Sequence, residues 1–136
     1  MSDNQGRNPL RWDCNKDGCF NKKKRPKIEV FAECLPGKIA FSDIDAITEV
    51  NGRFLVLEWK SYADDIPKGQ RIMFQRMTTG GTFTVFIING CAESMEIRQL
   101  CIVWDGKIHD WVNTTLDDVK TRIKKWVEWV KQAKRH

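Results

Sequence analysis

The chain has no apolar run approaching the roughly 20 residues that span a bilayer, and its opening stretch, MSDNQGRNPLRWDC, lacks the hydrophobic core of a secretory signal. The expectation is a protein that stays in the cytoplasm, that of the host cell if a phage encodes it, with no membrane partner. Histidine is nearly absent. His109 falls in an expected strand and His136 ends the chain, which leaves a histidine general base or a histidine metal site unsupported. The five cysteines are odd in number and unevenly spaced, so an intrachain disulfide framework cannot account for all of them and reduced thiols are expected. There are no internal repeats and no low-complexity linker.

What is present fits one soluble globular domain of 136 residues, 41% hydrophobic and 30% charged, with six tryptophans. The formal net charge is +5, concentrated in NKKKRPK at 21–27 and in a lysine-rich C-terminal stretch ending KQAKRH. Such clusters attract polyanions through counterion release. The plainer alternative is a solvated basic face.

Residues 1–25 carry little periodicity and read as an irregular, basic, cysteine-containing arm, in front of a single domain over 26–136. Pro26 suits the first turn of a helix over 26–35, with Ile28, Phe31, Ala32 and Leu35 on one face before Pro36-Gly37. KIAFSDIDAITEV and RFLVLEWKS then form a hairpin about Asn51-Gly52, a pair that tolerates positive φ. QRIMFQRMTT predicts a helix with Ile72, Met73 and Met77 inward, and TFTVFIIN a buried strand. A further strand pair turns at Asp105-Gly106, with Cys101 in the core. The last helix starts near TTLDDVK, where Thr115 and Asp118 resemble a capping box. Its apolar stripe is Leu116, Val119, Ile123, Trp126, Val127 and Val130, and Trp129 falls off it. The class is α/β or α+β, a central mixed β-sheet flanked by helices.

A two-residue turn at Asn51-Gly52 makes opposing residue numbers sum to 103, so Asp45 faces Glu58 and Asp43 faces Lys60. Partners across a pair, and residues two apart on a strand, share a face, so all four charges project to one side of a hairpin expected to be covered on both. Two carboxylates with Cβ atoms about 5 Å apart repel and lose hydration, and one protonates unless a cation intervenes. Lys60 offsets part of this. A divalent ion held by Asp45 and Glu58 offsets the rest, and hard oxygen ligands with retained waters suit Mg²⁺. Next to such an ion, a lysine can orient a water and stabilise a pentacovalent phosphate. The structural alternative is a set of ion pairs at the edge of a sheet, worth little at a surface and costly in a core.

Asp45, twelve intervening residues and then Glu58-Trp59-Lys60-Ser61 resemble the PD-(D/E)XK nuclease superfamily, with the spacing of Holliday-junction resolvases; the sequence style also resembles phage and prophage nucleases. The match runs over about residues 26–90. It implies a restriction-endonuclease-like core of a helix, a three-stranded meander, a helix and a further strand. It also implies a glutamate on the first helix, Glu33 or Glu29, with Glu33 nearer the hairpin, and a glutamine after the third strand, Gln70, which with Arg71 touches DNA phosphate. The catalytic set is then Asp45, Glu58, Lys60, Glu33 and Gln70, with Asp43 the alternative to Asp45. The metal is Mg²⁺ or Mn²⁺ on Asp45 and Glu58, and Lys22, Lys23, Lys24 and Arg25 contact nucleic acid.

WDCNKDGCF sets Cys14 and Cys19 four intervening residues apart, half of a structural Zn²⁺ site, although strong zinc signals show two Cys-x-x-Cys pairs. Two functional classes follow. One is a Mg²⁺-dependent deoxyribonuclease acting on DNA in replication, recombination or repair, for which a homodimer supplies two centres. The other is a non-catalytic nucleic-acid-binding or host-enzyme-inhibiting phage protein on the same fold.

Overall fold

The computed structural model describes residues 27–61 and 66–133, and contacts divide the chain into two units, Met1–Asp43 and Ile44–His136. The arm expected over 1–25, with Cys14, Cys19 and Lys22 to Arg25, lies outside the described residues. In the first unit the expected α-helix over 26–35 is instead a 3-10 helix, Ile28–Cys34, with no side-chain cap at Lys27. Its Val30 and Phe31 are exposed. Seven residues without a cap or a buried stripe do not offset the cost of an α-helical nucleus, and Leu35, just before Pro36, is already extended.

The second unit is built on a mixed six-stranded sheet. β1 (Ala46–Val50) and β2 (Arg53–Lys60) form the hairpin, followed by helix α1 (Lys68–Thr78), β3 (Phe83–Cys91), β4 (Glu96–Trp104), β5 (Lys107–Ile108), β6 (Val112–Asn113) and helix α2 (Leu116–Gln132). The strand order is β1-β2-β3-β4-β5, with β6 also on β4. Among the described residues only the β2–β3 pair is parallel, and α1 makes the crossover that a parallel pair requires. Among the described residues two strands precede α1, where the resemblance implies three. The stretch from Leu35 to Asp45 joins no ladder.

Both turns form as expected, because their residues accept left-handed backbone. Asn51 and Gly52 have φ of 52° and 84°, and Asp105 and Gly106 have 48° and 81°. The first turn gives the predicted register, Ala46 opposite Leu57 and Val50 opposite Arg53. The second is tied to the end of α1: Gly80 N–H donates to Asp105 Oδ1 at 2.9 Å and Gly106 N–H to Thr78 Oγ1 at 3.0 Å.

The two faces of β2 part as period-2 geometry demands. Leu55 joins Phe86, Ile88, Ile97, Leu100 and the buried stripe of α2 (Val119, Trp126, Val130) on one face. Val56 joins Val85, Ile87, Cys101, Val103 and Phe74 of α1 on the other. The unit is therefore three layers, α1, sheet and α2. On α1, Phe74 is the inward anchor at 1% exposure, Met73 and Met77 pack beside it, and Ile72 faces outward at 36%, contrary to expectation. Periodicity alone ranked Ile72 with the methionines; an 11-residue helix on a sheet buries a narrower stripe. β1 also departs from expectation: four of its five residues are exposed, Ile47 at 50%, so the hairpin is covered on both faces only along β2.

At the far end of β3 a bulge inserts Arg98, since Asn89 pairs with Gln99 but Gly90 with Ile97. Gly90 is required there: a Cβ would run into the backbone of Glu96 and Ile97. His109 follows β5 rather than lying in a strand. Helix α2 is capped as predicted by Thr115, whose Oγ1 accepts from Asp118 N–H at 3.1 Å. The return half of the box differs, because the Asp118 carboxylate accepts from the Thr114 hydroxyl at 2.6 Å. Among the described residues no helix is long and apolar enough to cross a membrane.

Candidate active site

Glu58 and Lys60 occupy alternate positions at the C-terminal end of β2, on the face covered by α1, where a chain leaving a parallel strand opens a crevice for ligands. Glu58 is 7% exposed. Its Oε2 accepts from Gln70 Nε2 at 2.9 Å and lies 3.7 Å from Lys60 Nζ. Gln70 stands in the first turn of α1, which starts after Pro67 with no side-chain cap and no acidic residue, so the helix dipole also presents positive potential at this end. Asp45 lies one residue ahead of β1. Its Oδ2 accepts from Trp59 N–H at 2.7 Å, continuing by side chain a ladder that β1 leaves off. Thus Asp45, Glu58, Lys60 and Gln70 gather at one end of the sheet, with Asp45 turned to the backbone of β2 rather than simply projecting beside Glu58.

Glu33 is exposed on the 3-10 helix of the first unit, and Asp43 is that unit's last residue. Arg71 is exposed on α1, next to Gln70. Lys22, Lys23, Lys24 and Arg25 lie outside the described residues. One contributor was missed: Asn89, 4% exposed at the end of β3. Its Nδ2 donates to Lys60 O at 3.1 Å and Ser61 O at 2.9 Å, holding the backbone that carries Lys60. The signal was an amide at the end of the apolar run TFTVFIIN.

Burial pushes the Glu58 carboxyl above its ordinary 4.5, and the negative charge of Asp45 adds to this; Lys60 and the Gln70 hydrogen bond pull the other way without cancelling it. Glu58 Oε1 and Gln70 Oε1 are both buried without a hydrogen-bond partner. An acceptor oxygen of a buried carboxylate left unpaired is costly, and the carboxylate oxygens of Glu58 and Asp45 together are hard, negatively charged donors that fit a divalent cation completing its shell with water. Among the described residues no three His, Cys, Asp or Glu side chains cluster as metal ligands, so the fit rests on the two carboxylates.

The raised pKa has a consequence for stability. Between 4.5 and the folded-state value the native state holds a proton that the unfolded state has lost, so this group's contribution to stability falls as pH rises through that window. Glu58→Gln, which removes the buried charge, should melt near wild type at about pH 4 and progressively above it toward about pH 8 in metal-free buffer. A variant no more stable than wild type at the upper end would show that burial of Glu58 costs nothing.

No family model matches the chain, and neither a curated protein nor a solved structure is found to be similar to it.

Proposed function

We propose that the chain is a divalent-metal-dependent deoxyribonuclease of the PD-(D/E)XK kind, hydrolysing phosphodiester bonds at the end of β2. The observation that carries this reading is Glu58: a carboxylate more than nine-tenths buried, raised in pKa, with one oxygen unpartnered beside Asp45 and a lysine. Asp45 and Glu58 hold the ion. When bound, Mg²⁺ or Mn²⁺ supplies Lewis acidity toward a phosphate oxygen and neutralises the two carboxylates. Lys60, its side chain 17% exposed, reaches solvent from the same end, donates to the attacking water and meets charge developing on phosphorus. Gln70 fixes the Glu58 carboxylate through Oε2 and leaves Oε1 for the ion. Asn89 fixes the main chain at Lys60. DNA is the substrate that the +5 net charge favours.

The test is cleavage of supercoiled plasmid, linear duplex, single strand, flap and four-way junction with Mg²⁺ or Mn²⁺, against chelator and Asp45→Asn. Asparagine keeps an acceptor for Trp59 N–H while deleting the charge that repels Glu58, so loss of cutting with a melting temperature no lower than wild type is expected. DNA bound but uncut with either metal would favour the non-catalytic binding module.

A further inference from the structure

On the opposite face of the sheet from Glu58, beneath α2, a cavity of about 430 Å³ opens to solvent, within the roughly 300–1,000 Å³ of ligand pockets. Its floor includes Phe86 of β3 and Trp104 of β4. Its roof is Arg122, Lys125, Trp126 and Trp129, whose i, i+3, i+4, i+7 spacing places them along one stripe of α2. Three indoles and two cations thus line one cleft.

The aromatic rings are held in position rather than loosely exposed. Arg53, 8% exposed, sets its guanidinium 4.4 Å from the Trp129 ring centroid. Trp104 meets Trp129 edge to face, centroids 5.4 Å apart at 86°, and lies so close to Gly81 that a Cβ there would come within 2.9 Å of it. Arg122 is tied to Asp118 at 3.4 Å; Lys125 is exposed. A preorganised aromatic surface that remains 41% exposed at Trp129 is unlike a core position, which packs to crystal density.

From this geometry we infer that the cleft binds a nucleotide, its base stacked on Trp129 and its phosphate met by Lys125 and Arg122. Stacking on indole requires a flat π-face and not a particular base, and the cations match the one charged group that every nucleotide carries. The ligand is either a free nucleoside monophosphate or an unpaired residue of a single strand. The inference stands apart from the metal-site reading, since no residue is shared between the two.

The experiment uses the full chain in EDTA, titrated with dAMP and separately with a fluorescein-labelled thymidine oligomer, by tryptophan quenching and anisotropy. Binding of either is expected. Tighter binding of the oligomer assigns the cleft to an unpaired strand residue, and binding of dAMP alone assigns it to the free nucleotide. Trp129→Ala should weaken binding about 5- to 150-fold, the loss carried by one base–aromatic stack, while Trp129→Phe stays within about threefold of wild type because a stacking ring remains. Lys125→Ala should lower the salt slope by about one. Because every titration is run in EDTA and reads binding rather than cutting, a failure of the nuclease reading leaves this result untouched. The inference is overturned if neither ligand binds, if the oligomer binds equally to Trp129→Ala, or if sedimentation shows a dimer that Trp129→Ala dissociates, since the cleft is then an interface.

Discussion

Lys60→Ala is expected to lower the metal-dependent cleavage rate by about 10²- to 10⁴-fold, the range that one positioned proton donor or charge stabiliser contributes. Metal affinity should change little by comparison, because Lys60 is not a ligand in this reading. A second readout distinguishes chemistry from simple damage. The positive charge of Lys60 is one of the influences holding the Glu58 pKa down, so its loss lets that pKa rise further. The acid limb of the residual pH–rate profile should therefore move to higher pH, and Lys60→Arg, which keeps the charge but changes its shape, should leave the limb in place while still cutting slowly. Equal rates for Lys60→Ala and wild type would remove Lys60 from the mechanism.

The largest effect on stability is expected at Phe74. It is 1% exposed, on the inward face of α1 against Val56, Val85, Ile87 and Val103. Phe74→Ala deletes a ring from a packed layer whose sheet side cannot collapse to fill the space, and such changes cost about 3–5 kcal/mol. Against a total of about 5–15 kcal/mol, that is enough to leave a substantial unfolded fraction under mild denaturant. Chemical denaturation should show the midpoint falling at nearly constant slope, with Phe74→Leu recovering more than half of the loss. A cost below about 1 kcal/mol would mean that α1 is held chiefly by its polar ties, Thr78 to Gly106 and Gln70 to Glu58. Because Gln70 rides on the same helix, cutting by Phe74→Ala should fall with the folded fraction.

What could be read from the sequence was whatever short-range chemistry dictates. Asn51-Gly52 and Asp105-Gly106 announce themselves because few residues accept positive φ, the first of them sets the register of β1 on β2, and the period-2 alternation of β2 puts Glu58 and Lys60 on one face. Thr115 marks the start of α2, and the stripe from Leu116 to Val130 marks its buried side. Gln70 entered through the resemblance, as a residue touching DNA phosphate, and its hydrogen bond to Glu58 was not legible from spacing. What could not be read depends on contacts between distant segments. Nothing local distinguishes Phe74 from Ile72 as the anchor of α1, or shows that β1 stops at Ala46 with Asp45 bonded to the backbone of β2. The same holds for the extra residue at Arg98 and for Arg53 resting on Trp129, which are choices made by the assembled sheet. The 3-10 helix at Ile28–Cys34 carries an amphipathic pattern, yet Val30 and Phe31 are exposed, and there periodicity misled.

The sheet described above ends differently on its two sides. Beyond β4, the chain supplies β5 and β6 as two-residue pieces separated by His109 to Trp111, a broken margin on which a long foreign strand finds few consecutive donors and acceptors. Beyond β1, among the described residues, no strand follows. Exposed edges are where sheets recruit one another and grow into fibres. With one margin blunted, any joining of two copies at β1 through a two-fold axis would expose only blunted margins outward. Stacking of the chain into an indefinite ribbon would then be closed off by the four residues of β5 and β6.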